Sequence, residues 1–280
     1  MSNYENYSQI SDNYDHTRIP AGTEIITGCL AQNELPLAQQ YLLDAGCGTG
    51  NYSQALLAHV GRISAVDMNQ GMLARARQKC ARENASGHID FHQASIHSLP
   101  FDDQIFDGIM INQVLHHLEL AANAGYPSYR AVFTEFARVL KPGGALIVNT
   151  CSHEQLKHGF WYYDLIPDET RLMCERHASP EVLKEFMNDA GISYQASFVP
   201  LDTLMQGDDY FDPRGPLNKN WRDGDSIWAT VSKKKISAIS DLIKERDQSG
   251  TLITHMQKRD ARRKHIGQLS FLYGRRMEGS

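Results

Sequence analysis

Apolar positions fall along the chain in two alternating rhythms. Short apolar runs with strand character come first: Tyr41-Leu42-Leu43, then "RISAVDM", "HIDFHQA", "FDGIMIN", "ALIVNT" and "ISYQASFVP". Between them the apolar residues recur at about 3.6 positions, the period of a helix. Residues 52–60 set Leu56, Leu57 and Val60 on one face. Residues 69–84 are rich in Ala, Arg, Met and Leu, which favour helix. Residues 128–140 align Val132, Phe133, Phe136, Val139 and Leu140. "KPGG" stops that helix, because Pro142 cannot continue it and the glycines release the backbone. In "SPEVLKEFMNDAG", Ser179 reads as N-cap, Pro180 as the first helical residue and Gly191 as terminator.

This alternation predicts an α/β fold: a seven-stranded, mostly parallel sheet with helices on both faces. "FDGIMIN" is apolar almost throughout, as a strand buried on both faces must be. The last strand is read in "GQLSFLYGR", residues 267–275, rather than in "SIWATVS". The latter joins a helix in which Trp228, Val231, Ile239, Leu242 and Ile243 share a face, capped by Asp225 or Ser226. Gly250 separates it from a second helical stretch, 251–265. The expected organisation is an N-terminal helical lid segment (1–38), a core (39–201), an insertion of loop and helices acting as a cap (202–266), and the final strand with the C-terminus (267–280). An insertion of that length is expected to be functional.

Composition narrows the function classes. The chain has 280 residues, 41% hydrophobic and 22% charged, as in an ordinary soluble domain. Its formal net charge of -5 gives no field to hold nucleic-acid phosphates. The basic stretches "SKKK" and "KRDARRK" read as solvated helix faces. No apolar stretch approaches the length of about 20 residues that spans a bilayer. The N-terminus is polar and acidic, unlike a signal peptide. Five cysteines, an odd number without CxxC spacing, read as reduced thiols of a cytoplasmic protein. Twelve histidines include no HExxH or paired Cys/His spacing, so no metal is expected.

The chemistry begins at "LLDAGCGTG". Gly46, Gly48 and Gly50 follow an acid at a strand end. Such a turn lets a ligand approach the backbone where no Cβ stands, with the free N–H groups of a helix behind it. A dinucleotide fold wants G-x-G-x-x-G, but the third glycine position holds Asn51. A phosphate loop wants Gly-Lys-Ser/Thr, which is absent.

Four segments from about residue 40 to 150 resemble, in order and spacing, the class I S-adenosylmethionine-dependent methyltransferases of the small-molecule branch: "LLDAGCGTG", "AVDMNQGML", "QASIHSLPFDDQIFDGIMINQVLHHL" and "VLKPGGALIV". The resemblance implies a Rossmann-like core with S-adenosylmethionine as cofactor. It implies that Asp44, Gly46, Cys47 and Gly48 line the cofactor and that Asp67 takes both ribose hydroxyls. Met68 would lie against the adenine. The family commonly has aspartate at the position of Ser95, so Ser95 and the backbone of Ile96 are expected at the adenine amino group. Asn112 and Gln113 would stand beside the methionine end. "NYDHTRIP" resembles a segment that folds over the cofactor, with Tyr14 and Arg18 on its methionyl part.

The acceptor reads as a small molecule of specialised metabolism. Adenine or glutamine amide acceptors call for Asn/Asp-Pro-Pro-aromatic, and the chain has Asn112-Gln113-Val114-Leu115. His116 and His117 are the candidate bases. Tyr126, Trp161, Tyr162, Tyr210 and Trp221 are candidates to line an aromatic, largely apolar acceptor pocket, with 202–266 as its lid. A non-catalytic cofactor-binding module and an arsenite-type, thiol-dependent enzyme are the alternatives. The expected state is monomer or homodimer.

Overall fold

The computed structural model describes residues 19–121 and 124–278. The candidate residues Tyr14 and Arg18 lie outside them. The chain divides into two compact units. One holds Gly22–Thr150, Ala178–Phe198 and the chain from Ser270 on; the other holds Cys151–His177 and Val199–Leu269 with the described residues before Gly22.

The first unit is built on a seven-stranded sheet: β1 (Tyr41–Ala45), β2 (Arg62–Asp67), β3 (Ile89–Gln93), β4 (Phe106–Asn112), β5 (Leu140–Thr150), β6 (Ile192–Phe198) and β7 (Ser270–Arg276). Their spatial order is β3-β2-β1-β4-β5-β7-β6. The pairs from β3 through β5 are parallel, while β7 runs antiparallel to both β5 and β6. Strand order reverses at β1 and β4, so a crevice opens there beyond the strands' C-terminal ends.

The helices of this unit are α1 (Thr23–Leu30), α2 (Asn51–Leu56), α3 (Gln70–Lys79), α4 (Pro127–Val139) and α5 (Pro180–Asp189). α4 buries Val132, Phe133, Phe136 and Val139 of the predicted stripe and Tyr129 besides, with Phe186 of α5 in the same cluster, while Leu140, also expected on that face, opens β5. Each such buried side chain contributes about 1.5–3 kcal/mol. Ser179 caps α5 by accepting from the Val182 N–H at 3.4 Å, with Pro180 in its first turn, and Gly191 follows at φ +80.

Local structure departs from the sequence reading at four places. α2 ends at Leu56, short of Val60. The predicted 69–84 helix breaks at Cys80 into α3 and a short helix, Ala81–Ala85. "KPGG" is no free turn. It is the bulged start of β5, where Leu140 already pairs with Phe106 and the register shifts before Gly108 meets Ala145. The Arg275 guanidinium pins the bulge by donating to the Gly143 carbonyl at 2.8 and 3.0 Å. The predicted helix through Trp228 is likewise two elements. Asp225 caps a 3-10 turn at Ser226–Thr230, and Ser232 caps a new helix, Lys233–Gln248. Two good caps seven residues apart compete, and each starts its own element.

The second unit packs around aromatics. Trp161, Tyr162, Tyr210, Trp221 and Trp228 form one mutually contacting cluster, with ring centroids 4.8–6.4 Å apart. Most of its polar tips are satisfied internally, while the buried Trp228 indole nitrogen has no hydrogen-bond partner among the described residues. Trp161 Nε1 donates to the Tyr210 carbonyl at 2.7 Å, and Trp221 Nε1 to that of Asp209 at 2.8 Å. The Tyr162 and Tyr163 hydroxyls both donate to Asp225. Asp260 takes the Tyr210 hydroxyl and the Arg263 guanidinium. Residues 151–177, which the sequence reading placed with the core, belong here. Gln155 Nε2 donates to the carbonyls of Ile266 and Leu269, both at 2.9 Å.

Candidate active site

The glycine turn joins β1 to α2 at the switch point. Gly46, Gly48 and Gly50 stand at φ +83, +54 and +80, the left-handed region that other residues enter at a cost. The turn is laid against β2: the N–H groups of Gly46 and Cys47 both donate to the Val66 carbonyl, at 2.8 and 2.9 Å. A Cβ on Gly46 would stand 2.5 Å from Val114 Cγ2, so the segment after β4 closes on the turn. A Cβ on Gly48 would meet nothing within 4 Å. That glycine borders open space, as a cradle for a ligand requires.

Asp67 ends β2 and faces the turn. Its Oδ2 accepts from the Gly48 N–H at 2.9 Å and its Oδ1 from the Asn69 N–H at 2.8 Å. Both oxygens keep a lone pair for hydroxyl donors. Burial pushes the carboxyl above its ordinary range, while the two backbone bonds pull it down. Asp44 is different: it is 1% exposed and accepts from the Ser53 hydroxyl at 2.6 Å. Burial raises its carboxyl to about 7, against the Ser53 hydrogen bonds. Its observed role is to tie β1 to α2. Cys47 presents its N–H to Val66, and burial pushes its thiol well above the ordinary value.

Met68, next to Asp67, is exposed. Beyond β3, Ser95 accepts from the His97 N–H at 3.2 Å and forms a bridge with Ser98, and Ile96 is buried in the core. Asn112 closes β4, and Gln113 follows at φ +56. His116 and His117 lie in the 3-10 turn Leu115–His117, ring centroids 4.0 Å apart. Two residues absent from the sequence reading complete this cluster. Asn149 of β5 pairs with Asn112, accepts from Gln113 Nε2 at 3.0 Å and donates to the Tyr52 hydroxyl at 3.0 Å. The signal was present: Asn149 is a polar residue inside the apolar strand "ALIVNT". The Asn112 amide nitrogen is buried and has no hydrogen-bond partner.

The chain therefore brings together Gly46, Gly48, Asp67, Asn112 and Gln113 on the sheet unit. Tyr126 is on that unit too, at φ +57 before α4, its ring 5.3 Å from Phe186. Trp161, Tyr162, Tyr210 and Trp221 are in the other unit, where they form its interior. No group of three or more metal-ligating side chains occurs among the described residues.

A strand-end carboxylate aimed at a glycine turn and an open cradle at Gly48 fit a nucleoside. Fold and site define a class I S-adenosylmethionine-dependent methyltransferase. Residues 43–148 match the family described as Methyltransferase domain, and the match supports a small-molecule, S-adenosylmethionine-dependent methyltransferase.

It is 36% identical over 124 residues to the biotin biosynthesis bifunctional protein BioHC of Teredinibacter turnerae, covering 42% of this chain and 20% of that protein. It is 28% identical over 187 residues to a demethylmenaquinone methyltransferase of Clavibacter sepedonicus, covering 64% of this chain and 72% of that one. The chain thus spans one fifth of the first relative's length. Among solved structures it resembles a protein of Anabaena variabilis assigned as a methyltransferase of an antibiotic biosynthesis pathway. There the TM-score is 0.69 at 19% identity, over 92% of this chain and 99% of that one, a likeness of fold.

Proposed function

We propose that the protein transfers the methyl group of S-adenosylmethionine to a small-molecule acceptor of specialised metabolism. The single observation carrying this is the Gly48 N–H bonded to the Asp67 carboxylate across an open turn at the switch point. Bound there, the cofactor supplies an activated methyl on a good leaving group. The protein's part is alignment and exclusion of water. Asp67 would hold the ribose hydroxyls, the turn would admit the nucleoside backbone, and Met68, Ser95 and Ile96 would border the base. The acceptor's lone pair attacks the methyl carbon as the carbon–sulfur bond breaks, its electron pair returning to sulfur. An acceptor that must lose a proton would give it to His116, which follows the β4 end by a few residues.

The chain from 202 to 266 is read as a lid that excludes water. Arsenite-type chemistry is disfavoured. It needs converging reactive thiols, whereas all five cysteines are buried and burial raises the Cys29 and Cys80 thiols to about 11.

The test is calorimetric titration with S-adenosylhomocysteine, then consumption of the methyl donor over an acceptor panel. Asp67→Ala should weaken binding at least tenfold, with loss of two charge-assisted hydrogen bonds. Unchanged affinity in that variant removes the basis of the proposal.

A further inference from the structure

The polar cluster at the ends of β4 and β5 bears on which acceptor is taken. Asn112 and Asn149 are directly paired, so their side chains share one face of the sheet. Asn149 is almost wholly buried, and its amide is fixed on both atoms. Its Oδ1 accepts from Gln113 Nε2 at 3.0 Å, and its Nδ2 donates to the Tyr52 hydroxyl at 3.0 Å and to Asn112 Oδ1 at 3.3 Å. The backbone joins in: the Gln113 N–H donates to the Asn149 carbonyl at 3.0 Å, which holds Gln113 in its strained conformation. Asn112 therefore has its oxygen turned to Asn149. Its nitrogen is the group left over, buried and unpartnered. An unmet buried donor is costly, and one at the end of β4 beside the glycine turn is placed for a ligand to meet it.

We propose that the Asn112 amide N–H receives an oxygen of the acceptor, so that the enzyme methylates phenols or enols at oxygen or at the conjugated carbon, and not amines. This rests on the methyltransferase reading above. An amine that attacks with its one lone pair has none left to accept from the Asn112 N–H, which then stays unmet. A phenolate or enolate oxygen meets the donor directly. For O-methylation the phenol proton leaves to an imidazole or to solvent, and the oxygen then attacks the methyl carbon. The carbon–sulfur electron pair returns to sulfur. For C-methylation the enolate carbon attacks while the oxygen stays on the amide, and the ring proton then leaves to solvent.

The experiment titrates the full-length protein, saturated with S-adenosylhomocysteine, with 1-naphthol and with its isostere 1-naphthylamine. We expect 1-naphthol to bind at least tenfold more tightly. Asn112→Asp, the same shape without the donor, should lose at least tenfold in 1-naphthol affinity while S-adenosylhomocysteine affinity stays within threefold. Equal binding of the two probes, failure of both to bind, or an Asn112→Asp protein that keeps its 1-naphthol affinity overturns the inference. So does a tenfold loss of S-adenosylhomocysteine affinity in that variant, which gives the amide to the cofactor instead. The wild-type comparison needs no variant and decides the matter if Asn112→Asp does not fold. A wild type that binds no S-adenosylhomocysteine overturns the parent reading, a separate and earlier result.

Discussion

At the scale of single residues, the site depends on what is missing from Gly46 as much as on what Asp67 carries. Gly46→Ala combines a left-handed φ of +83 with a Cβ 2.5 Å from Val114. It should destabilise the sheet unit by about 1–3 kcal/mol and lower S-adenosylhomocysteine affinity with it. Chemical denaturation with and without ligand reads both. Gly48→Ala serves as contrast: it has space but the wrong φ, so its stability loss should be smaller, and binding should suffer because the new methyl enters the cradle.

Asp44 gives a prediction with a sign. Its folded carboxyl titrates at about 7, above the ordinary value near 4, so between those limits the folded chain holds a proton that the unfolded chain has lost. Its contribution is fully present below pH 4 and is lost as pH rises through 7. Asp44→Asn keeps an oxygen for Ser53 and removes the titration. The wild type should therefore lose stability relative to that variant as pH rises from 4 to 7, in denaturation series at several pH values. A constant difference across that range would contradict the buried, protonated state.

At the scale of elements, close approach decides more than propensity. α1 lies against β4 at Gly108, where a Cβ would come within 2.3 Å of Leu30 Cδ2 and 3.1 Å of Leu42 Cδ1. Gly108→Ala should cost about 1–3 kcal/mol as an overpacked core site, and Leu30→Ala in the same chain should recover part of that loss. A double-mutant cycle measures the recovery; strict additivity would mean that α1 does not press on β4 there.

The elements also show what periodicity can and cannot reveal. Strand centres were legible because each is a short apolar or alternating run, and α4 because Val132, Phe133, Phe136 and Val139 share one face. The bulge at "KPGG" was not legible. A Pro-Gly-Gly stretch signals a turn by local rules, and it is pairing with β4 and the bond from Arg275, more than a hundred residues on, that hold it as the start of a strand. The break after Trp228 was hidden for the opposite reason: both halves carry apolar residues at helical spacing, and the contest between the Asp225 and Ser232 caps is settled by the packing of Trp228 into an aromatic core.

At the scale of the whole molecule, the two units can be followed separately. All three tryptophans, Trp161, Trp221 and Trp228, belong to the second unit. The glycine turn and Asp67 belong to the first. Indole fluorescence therefore reports the second unit, and ligand-linked stabilisation enters through the first.

The second unit carries a titration of opposite sign to that of Asp44. His177 is buried, its Nδ1 at 2.8 Å from the Met173 carbonyl, and burial lowers its imidazole to about 4. Between pH 4 and 6.5 the unfolded chain takes up a proton that the folded chain refuses, so its contribution is present above pH 6.5 and lost as pH falls through 4. The fluorescence-detected midpoint should accordingly move to lower denaturant from pH 6.5 to 4.5, and His177→Gln should flatten that movement. An unaltered pH response in the variant would exclude His177 as its source.

Sequence by itself determined the sheet class, the glycine turn and its facing acid, because these are local patterns: a period, a run, three residues without Cβ in a row of five. It also placed the last strand after a long insertion, because "SIWATVS" runs on into apolar residues at helical spacing and "GQLSFLYGR" does not. Tertiary structure alone decided that residues 151–177 leave the core unit and that four candidate pocket aromatics form an interior. It also turned the Asn112 oxygen to Asn149 and left the amide nitrogen without a partner among the described residues. Those outcomes depend on which distant groups meet, and a hydrogen bond between residues 37 positions apart has no signature in the order of the chain.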